Sequence, residues 1–230
     1  MAALEGVPSQ AGPPASEGSS SPPGQPDRGD SAGPPGLSRV TVRHRGAFIE
    51  MLISSLLGLT ASLVLSIDAV VLAADPNAAL SCNISSTISC AKVGVTWQAN
   101  LLGFPNAFIG LIAEPVVITI AVAALGGVRF PRWFMNTAMA VYSIGLVFAY
   151  WLFLQAYFVI GAMCPWCLLI TATTTTVFMS LLRVNLADNT FGLSARAHGR
   201  ATYLLRIGVD IWATVLILAI LGGMVIFRYL

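Results

Sequence analysis

Charge is what this chain lacks most. Only 10% of its 230 residues are Asp, Glu, Lys or Arg, while 56% are hydrophobic. A water-soluble globule of that composition would run out of polar surface to cover its core, so the chain reads as an integral membrane protein. Net charge is +2 and the basic residues are scattered rather than blocked, which leaves no electrostatic case for nucleic acid. Histidine is nearly missing too: His44 and His198 are the two present, and both lie far along the chain from every cysteine. No basic segment followed by a short apolar core opens the chain, so a signal peptide is not expected. Cysteine is scarce, and the four present fall into two pairs, Cys82 with Cys90 and Cys164 with Cys167.

Proline is unevenly spread. Residues 1–38 hold eight of the thirteen, with Gly and Ser between them, as in "SSSPPGQPDRGDSAGPPG". Such a stretch cannot bury enough apolar area to offset its ordering entropy and reads as a disordered tail. Beyond it, five apolar runs each reach the roughly 20 residues that a membrane-crossing helix needs. They lie near Ala47–Leu72, Phe104–Leu125, Trp133–Tyr157, Cys164–Leu182 and Leu204–Phe227. Helices are required because lipid satisfies no backbone polar group, and the dyad pattern of a membrane barrel is absent. Links as short as "GGVRFPR" and "VIGAM" make successive helices antiparallel. The expected architecture is therefore all-α, with a redox core over 45–185, an outer loop over 73–103, a linker over 186–203 and a fifth helix over 204–230.

Arginine sets the orientation. With the N-terminus in the cytoplasm, the inner side receives Arg28, Arg39, Arg43, Arg45, Arg129, Arg132, Arg183, Arg196, Arg200 and Arg206, and the outer side only Lys92 and Arg228. All four cysteines then fall on or near the outer face of a plasma (inner) membrane, where disulfides persist.

In "CPWC", Pro165 suits the first helical position, which makes Cys164 the N-cap. A thiolate there gains from the free N–H groups and the positive end of the helix dipole. Cys167 lies on the same helix face, about 4.5 Å further along the axis and deeper in the membrane. One sulfur thus faces the loop and water, the other the lipid-level interior. The loop pair sits in "SCNISSTISC", whose small polar residues let it flex. Exchange between pairs passes through a mixed disulfide, and Cys90, nearer the second span, is the expected partner of Cys164, leaving Cys82 to meet outside proteins. Two readings stay open beside this relay: purely structural disulfides, although a C-x-x-C ring is small and adds little stability, and a four-thiolate zinc site, although the loop spacing does not suit one. A Cys–His nucleophile is set aside because both histidines fall on the inner side.

The loop pair, Thr96 six residues after Cys90, "LLGFPNAFIG" opening a helix and "CPWC" heading a later one together resemble the vitamin K epoxide reductase family, and most closely its bacterial quinone-linked, disulfide-generating members. The resemblance spans roughly residues 45–185. It implies a four-helix bundle around a quinone (menaquinone or ubiquinone), with the fifth helix an addition. It implies that Cys164 and Cys167 form the active pair with Cys167 beside the quinone, and that Cys82 and Cys90 shuttle electrons from a thioredoxin-like partner. Thr96 is then expected to donate a hydrogen bond to a quinone carbonyl. Some animal members carry a tyrosine four residues after the second active-site cysteine; here Thr171 stands there, so epoxide chemistry is not implied. Some bacterial members carry a fused thioredoxin-like domain after the fifth span; with the chain ending at Leu230, the partner is expected to be a separate extracytoplasmic protein.

Other residues have two readings each. Glu114, followed by Pro115 inside the second span, either delivers protons to a reduced quinone or is a carboxyl bonded to a neighbouring helix. Asp68 reads as a headgroup-level residue. Asn106, in "GFPNA", caps its helix as the plainer role and is otherwise a quinone contact beside Thr96. The hydroxyls of "TATTTT" are expected to bond back to their own helix. Trp97 and Trp133 suit the membrane interface, and Trp166 either shapes the acceptor pocket or anchors there. Besides the thiol:quinone oxidoreductase, a reductive electron conduit and a scaffold with structural disulfides are the competing functions. The conduit wants cysteines on both faces, and the inner face has none.

Overall fold

The computed structural model describes residues 37–229, with side chains over 44–228. The expected tail over 1–38 lies outside them except for its last two residues, which already belong to the first helix. Seven α-helices follow among the described residues: α1 Leu37–Ala74, α2 Cys90–Gly94, α3 Ala107–Leu125, α4 Arg132–Leu154, α5 Pro165–Ala187, α6 Ala195–Arg206 and α7 Val209–Tyr229. Five stretches are long and apolar enough to cross a membrane: His44–Ala74, Ala107–Leu125, Arg132–Ile160, Pro165–Ala187 and Val209–Arg228. The chain is thus an all-helical, multi-pass membrane protein, as its composition predicts. Side chains such as Ile112, Ile144, Val147 and Trp212, 70–73% exposed, are surfaces for lipid rather than defects of packing.

α1 packs along both α3 and α5, and α5 along α4. Lipid tails are as apolar as leucine, so helices in a membrane gain little from burying large apolar side chains and much from close approach. The α1–α3 seam follows that rule. Ser55 and Ser62 on α1 are essentially fully buried, with Gly58 between them. A Cβ added at Gly58 would stand 2.9 Å from Glu114 Oε1 and 3.1 Å from Thr173 Oγ1, so α1, α3 and α5 converge there. One added at Gly110 of α3 would overlap Ser62 Oγ. Beyond the seam, Met51, Val117, Met139, Tyr142, Val177 and Leu181 form a common core of α1, α3, α4 and α5.

The end of the bundle away from the cysteines is closed by polar contacts. His44 Nε2 lies 3.0 Å from Asp188 Oδ1, and Arg132 donates to the carbonyls of Asn189 at 2.7 Å and Thr190 at 3.3 Å. These tie the starts of α1 and α4 to the end of α5.

Two sequence boundaries change. The linker expected over 186–203 contains α6, an amphipathic helix carrying Arg196, Arg200 and Arg206. The fifth span starts at Val209 rather than Leu204, because Leu204 and Leu205 complete α6 and Gly208, at φ 77°, turns the chain in the left-handed region. α7 is docked by an Arg183–Asp210 ion pair of 3.1 Å and by Leu221, Met224 and Val225 against Phe153, Tyr157 and Met163. The loop expected over 73–103 is also partly helical, holding α2 and a 3-10 turn at Trp97–Asn100.

Candidate functional site

The site is assembled where a loop meets a helix start. α4 ends in a π-helical turn, Gln155–Ile160, stopped by Gly161 at φ 66°, and the chain then runs extended through Ala162 and Met163 to Cys164. There it meets the loop between α1 and α3. Met163 N–H donates to the Thr87 carbonyl at 2.8 Å, and Ser89 N–H donates to the Met163 carbonyl at 3.0 Å. This pair of bonds makes an isolated parallel bridge between Ile88 and Met163, each one residue or two from a cysteine. Ser89 then caps α2 by accepting from Lys92 N–H at 3.2 Å, so Cys90 is the first residue of a short helix. Asn83 closes the loop from inside, accepting from Ser89 Oγ at 2.8 Å and from Ala91 N–H at 3.2 Å.

The result is a buried group of sulfurs. Cys82 and Cys90 are joined in a disulfide, and Cys164 and Cys167 are free thiols. Cys90 Sγ lies 3.2 Å from Cys164 Sγ. Cys82, Cys90 and Cys164 are 6%, 3% and 1% exposed, packed among Leu65, Leu80, Val93 and Trp166. Cys82 is therefore not open to an outside protein in this state, contrary to the expectation from its place in the loop; the disulfide folds it inward against α1.

Cys164 is the N-cap of α5, with Pro165 at the first turn, and its sulfur accepts from Cys167 N–H at 3.4 Å. The hydrogen bond from the Cys167 thiol is the largest influence holding Cys164 below the ordinary thiol range. Backbone N–H groups of Cys167 and Trp166 act the same way, while burial and the charge of Asp68 act against it. Cys167 itself is half-buried, one turn into α5.

Asp68 belongs to this group. Its Oδ2 is 3.6 Å from Cys82 Sγ, and its carboxylate and the sulfurs of Cys82 and Cys90 lie within 4.8 Å of one another. The headgroup-level reading of Asp68 missed this, because sequence spacing does not reveal that the loop folds back onto the outer end of α1. Three such donors have the composition of a metal cluster, but the disulfide engages two of them with each other.

The polar residues expected near a quinone are placed as follows. Thr96 precedes the 3-10 turn, and its hydroxyl proton goes to the Val93 carbonyl at 2.7 Å, so toward a ligand it offers its lone pairs rather than the expected donor. Asn106 holds the N-cap position of α3 but does not cap with its side chain; its Nδ2 donates to the Gln98 carbonyl at 2.6 Å. Its Oδ1 is buried without a protein partner. Glu114 is buried in α3 and accepts from Tyr142 of α4 at 3.3 Å, bridging two helices. The threonine run bonds back to its own helix: Thr171 to the Cys167 carbonyl, Thr173 to Ile170, Thr175 to Thr171 and Thr176 to Ala172. Trp97 and Trp133 are exposed, as interface residues are. Surface grooves of about 510 Å³ beside α6 and about 290 Å³ between Ser66 and Phe108 are lined by none of the cysteines.

This fold and this set of cysteines agree with one comparison. The model of the vitamin K epoxide reductase family matches residues 49–182, more than half of the chain and all of the site just described, so the chain belongs to that family. No curated protein matches it. The membership makes it a membrane oxidoreductase of the thiol and quinone kind.

Proposed function

We propose that this member of the family is a thiol:quinone oxidoreductase that makes disulfides, drawing electrons from a separate thioredoxin-like protein outside the cytoplasm. The observation that carries the reading is the 3.2 Å approach of Cys90 to Cys164, with Cys90 at the same time bonded to Cys82. Two pairs so connected can exchange electrons by successive in-place disulfide exchanges, each through a mixed disulfide.

The cycle runs in four balanced steps. A reduced partner opens the Cys82–Cys90 bond, its dithiol becoming a disulfide and the loop pair two thiols. Cys90, as the thiolate, attacks Cys164 of a Cys164–Cys167 disulfide; the Cys90–Cys164 bond forms and Cys167 leaves as a thiolate. Cys82 then attacks Cys90, which restores the loop disulfide and releases Cys164. The bonding pattern in the structure, loop pair joined and helix pair free, matches the state after this step. Closure of Cys164–Cys167 with loss of two electrons and two protons ends the cycle.

A bound quinone, menaquinone or ubiquinone, would supply the two-electron, two-proton sink for that closure. The chain's own residues suit it. Asn106 Oδ1, buried and without a partner, is an acceptor fit for the hydroxyl of a quinol, and Thr96 offers an acceptor oxygen as well. Asn106 and Thr96 are accordingly the residues assigned to hold the ring, and Cys167 is the cysteine assigned to face it. With the N-terminus cytoplasmic, the arginine-rich end of the bundle lies inside and the cysteines lie on the outer side of the plasma membrane.

The test is quinone-analogue reduction by the purified full chain in detergent, driven by a small dithiol or by a reduced thioredoxin-like protein. Cys164→Ser and Cys167→Ser abolish turnover with either donor. Cys82→Ser spares the small dithiol and blocks the protein donor. Turnover that survives loss of Cys167 would refute the relay.

A further inference from the structure

The half-buried carboxylate of Asp68 has no role in the relay as written, although it lies against the relay's sulfurs. We infer that Asp68 is a catalytic residue: it takes the proton from Cys82 as that thiol attacks Cys90, and returns it when Cys82 next leaves a partner's sulfur. The inference rests on the relay proposed above and assigns a proton path to its loop half.

The geometry carries it. Asp68 Oδ2 stands 3.6 Å from Cys82 Sγ, the reach of a thiol hydrogen bond, and Cys82 is only 6% exposed. Within the disulfide Cys82 bears no proton; once that bond opens, its thiol points at a carboxylate rather than at bulk water. Leu65, Leu80, Val93 and Trp166 pack around these sulfurs. Neither ion pair among the described residues involves Asp68, so its charge is not spent on a cation. A thiol is a poor nucleophile and its thiolate a good one, so resolving the Cys90–Cys164 bond requires deprotonation of Cys82 in a nearly dry site.

The step balances. The Cys82 S–H proton passes to Asp68, the Cys82–Cys90 bond forms and the Cys90–Cys164 bond breaks. Its electron pair leaves on Cys164, which the start of α5 stabilises as a thiolate. In the reverse sense, when a partner's resolving thiolate expels Cys82 from a mixed disulfide, protonated Asp68 delivers the proton and is reset.

A negative charge beside Cys82 also raises the energy of its thiolate, which gives the test a signature of opposite signs. In the full-length chain in detergent, fully reduced, Asp68→Asn is expected to speed alkylation of Cys82 at neutral pH about threefold or more, read by peptide-resolved mass spectrometry. The same variant is expected to slow quinone reduction driven by the reduced thioredoxin-like protein by about 100-fold, with small-dithiol turnover near native, and Asp68→Glu to recover most of the loss. A merely structural aspartate would not make the thiol more reactive and the enzyme slower at once. Alkylation equal to the native rate, or protein-driven turnover within about twofold of it, overturns the role. Should the native chain reduce no quinone, the proposed function fails, and the alkylation comparison still decides whether Asp68 controls Cys82.

Discussion

Cys90 stands between two sulfurs: it is bonded to Cys82 and lies 3.2 Å from Cys164. The approach is set by backbone, since Met163, next to Cys164, exchanges hydrogen bonds with Thr87 and Ser89, next to Cys90 in the loop. A cysteine held at both neighbours needs little loop motion to exchange partners.

That bridge can be broken at one atom. Met163→Pro removes the N–H that donates to the Thr87 carbonyl at 2.8 Å, while Met163→Leu keeps it and the side-chain volume. Turnover driven by the reduced thioredoxin-like protein is expected to fall about tenfold or more in the proline variant, the loss of one well-aligned donor being about 1–3 kcal/mol. The leucine variant is expected to stay near the native rate. Equal rates in the two variants would mean that the bridge does not position Cys90.

The reactivity of Cys164 follows from its neighbours. Its pKa is held below the usual thiol value chiefly by the Cys167 hydrogen bond, so its thiolate exists at lower pH than that of a free cysteine. The rate of iodoacetamide alkylation of Cys164 against pH should therefore have a midpoint below about 8.5. Cys167→Ala removes the largest cause and moves the midpoint upward. A midpoint that stays fixed or falls on that substitution contradicts the assignment.

The α1–α3 seam makes a prediction about stability. Gly110→Ala forces a Cβ onto Ser62 Oγ in a contact between two helices and should cost about 1–3 kcal/mol, seen as a lower Tm in detergent. Gly145 on α4 is its control, because a Cβ there meets nothing within 4 Å. Gly145→Ala should be neutral or raise Tm, since alanine is better than glycine by about 0.5–1 kcal/mol inside a helix.

Glu114 and Tyr142 form a bond between α3 and α4 in the bundle core. Tyr142→Phe leaves a buried carboxylate oxygen without its donor and should destabilise by about 1–3 kcal/mol. Replacing both, as Glu114→Leu with Tyr142→Phe, should recover most of that loss with turnover retained. Turnover lost in the double variant at full Tm would instead make Glu114 part of the proton path.

The fold was legible because its signals are local. Five apolar runs, short links and a proline after Cys164 are each read within a few residues, and the observed helices lie where those runs do. The N-cap role of Cys164 and the self-bonding of the threonine run are likewise properties of one helix. What escaped the sequence depends on residues brought together by tertiary folding. Asp68 and Cys82 are 14 residues apart, joined only because the loop doubles back. Met163 and Thr87 meet through backbone atoms, which leave no side-chain signal. Asn106 looks like a cap by position, yet the buried Gln98 carbonyl draws its side chain away. α6 was hidden because its polar face resembles a linker and its leucines were read with the span that follows.

The central claim is that Cys90, and not Cys82, exchanges with Cys164. It is tested most directly by leaving one loop cysteine at a time opposite Cys164, in Cys82→Ser/Cys167→Ser and in Cys90→Ser/Cys167→Ser, and mapping disulfides in the intact chain after mild oxidation. A Cys90–Cys164 disulfide in the first variant with no Cys82–Cys164 disulfide in the second is the predicted result. The reverse pattern, or equal yields of both, contradicts the account.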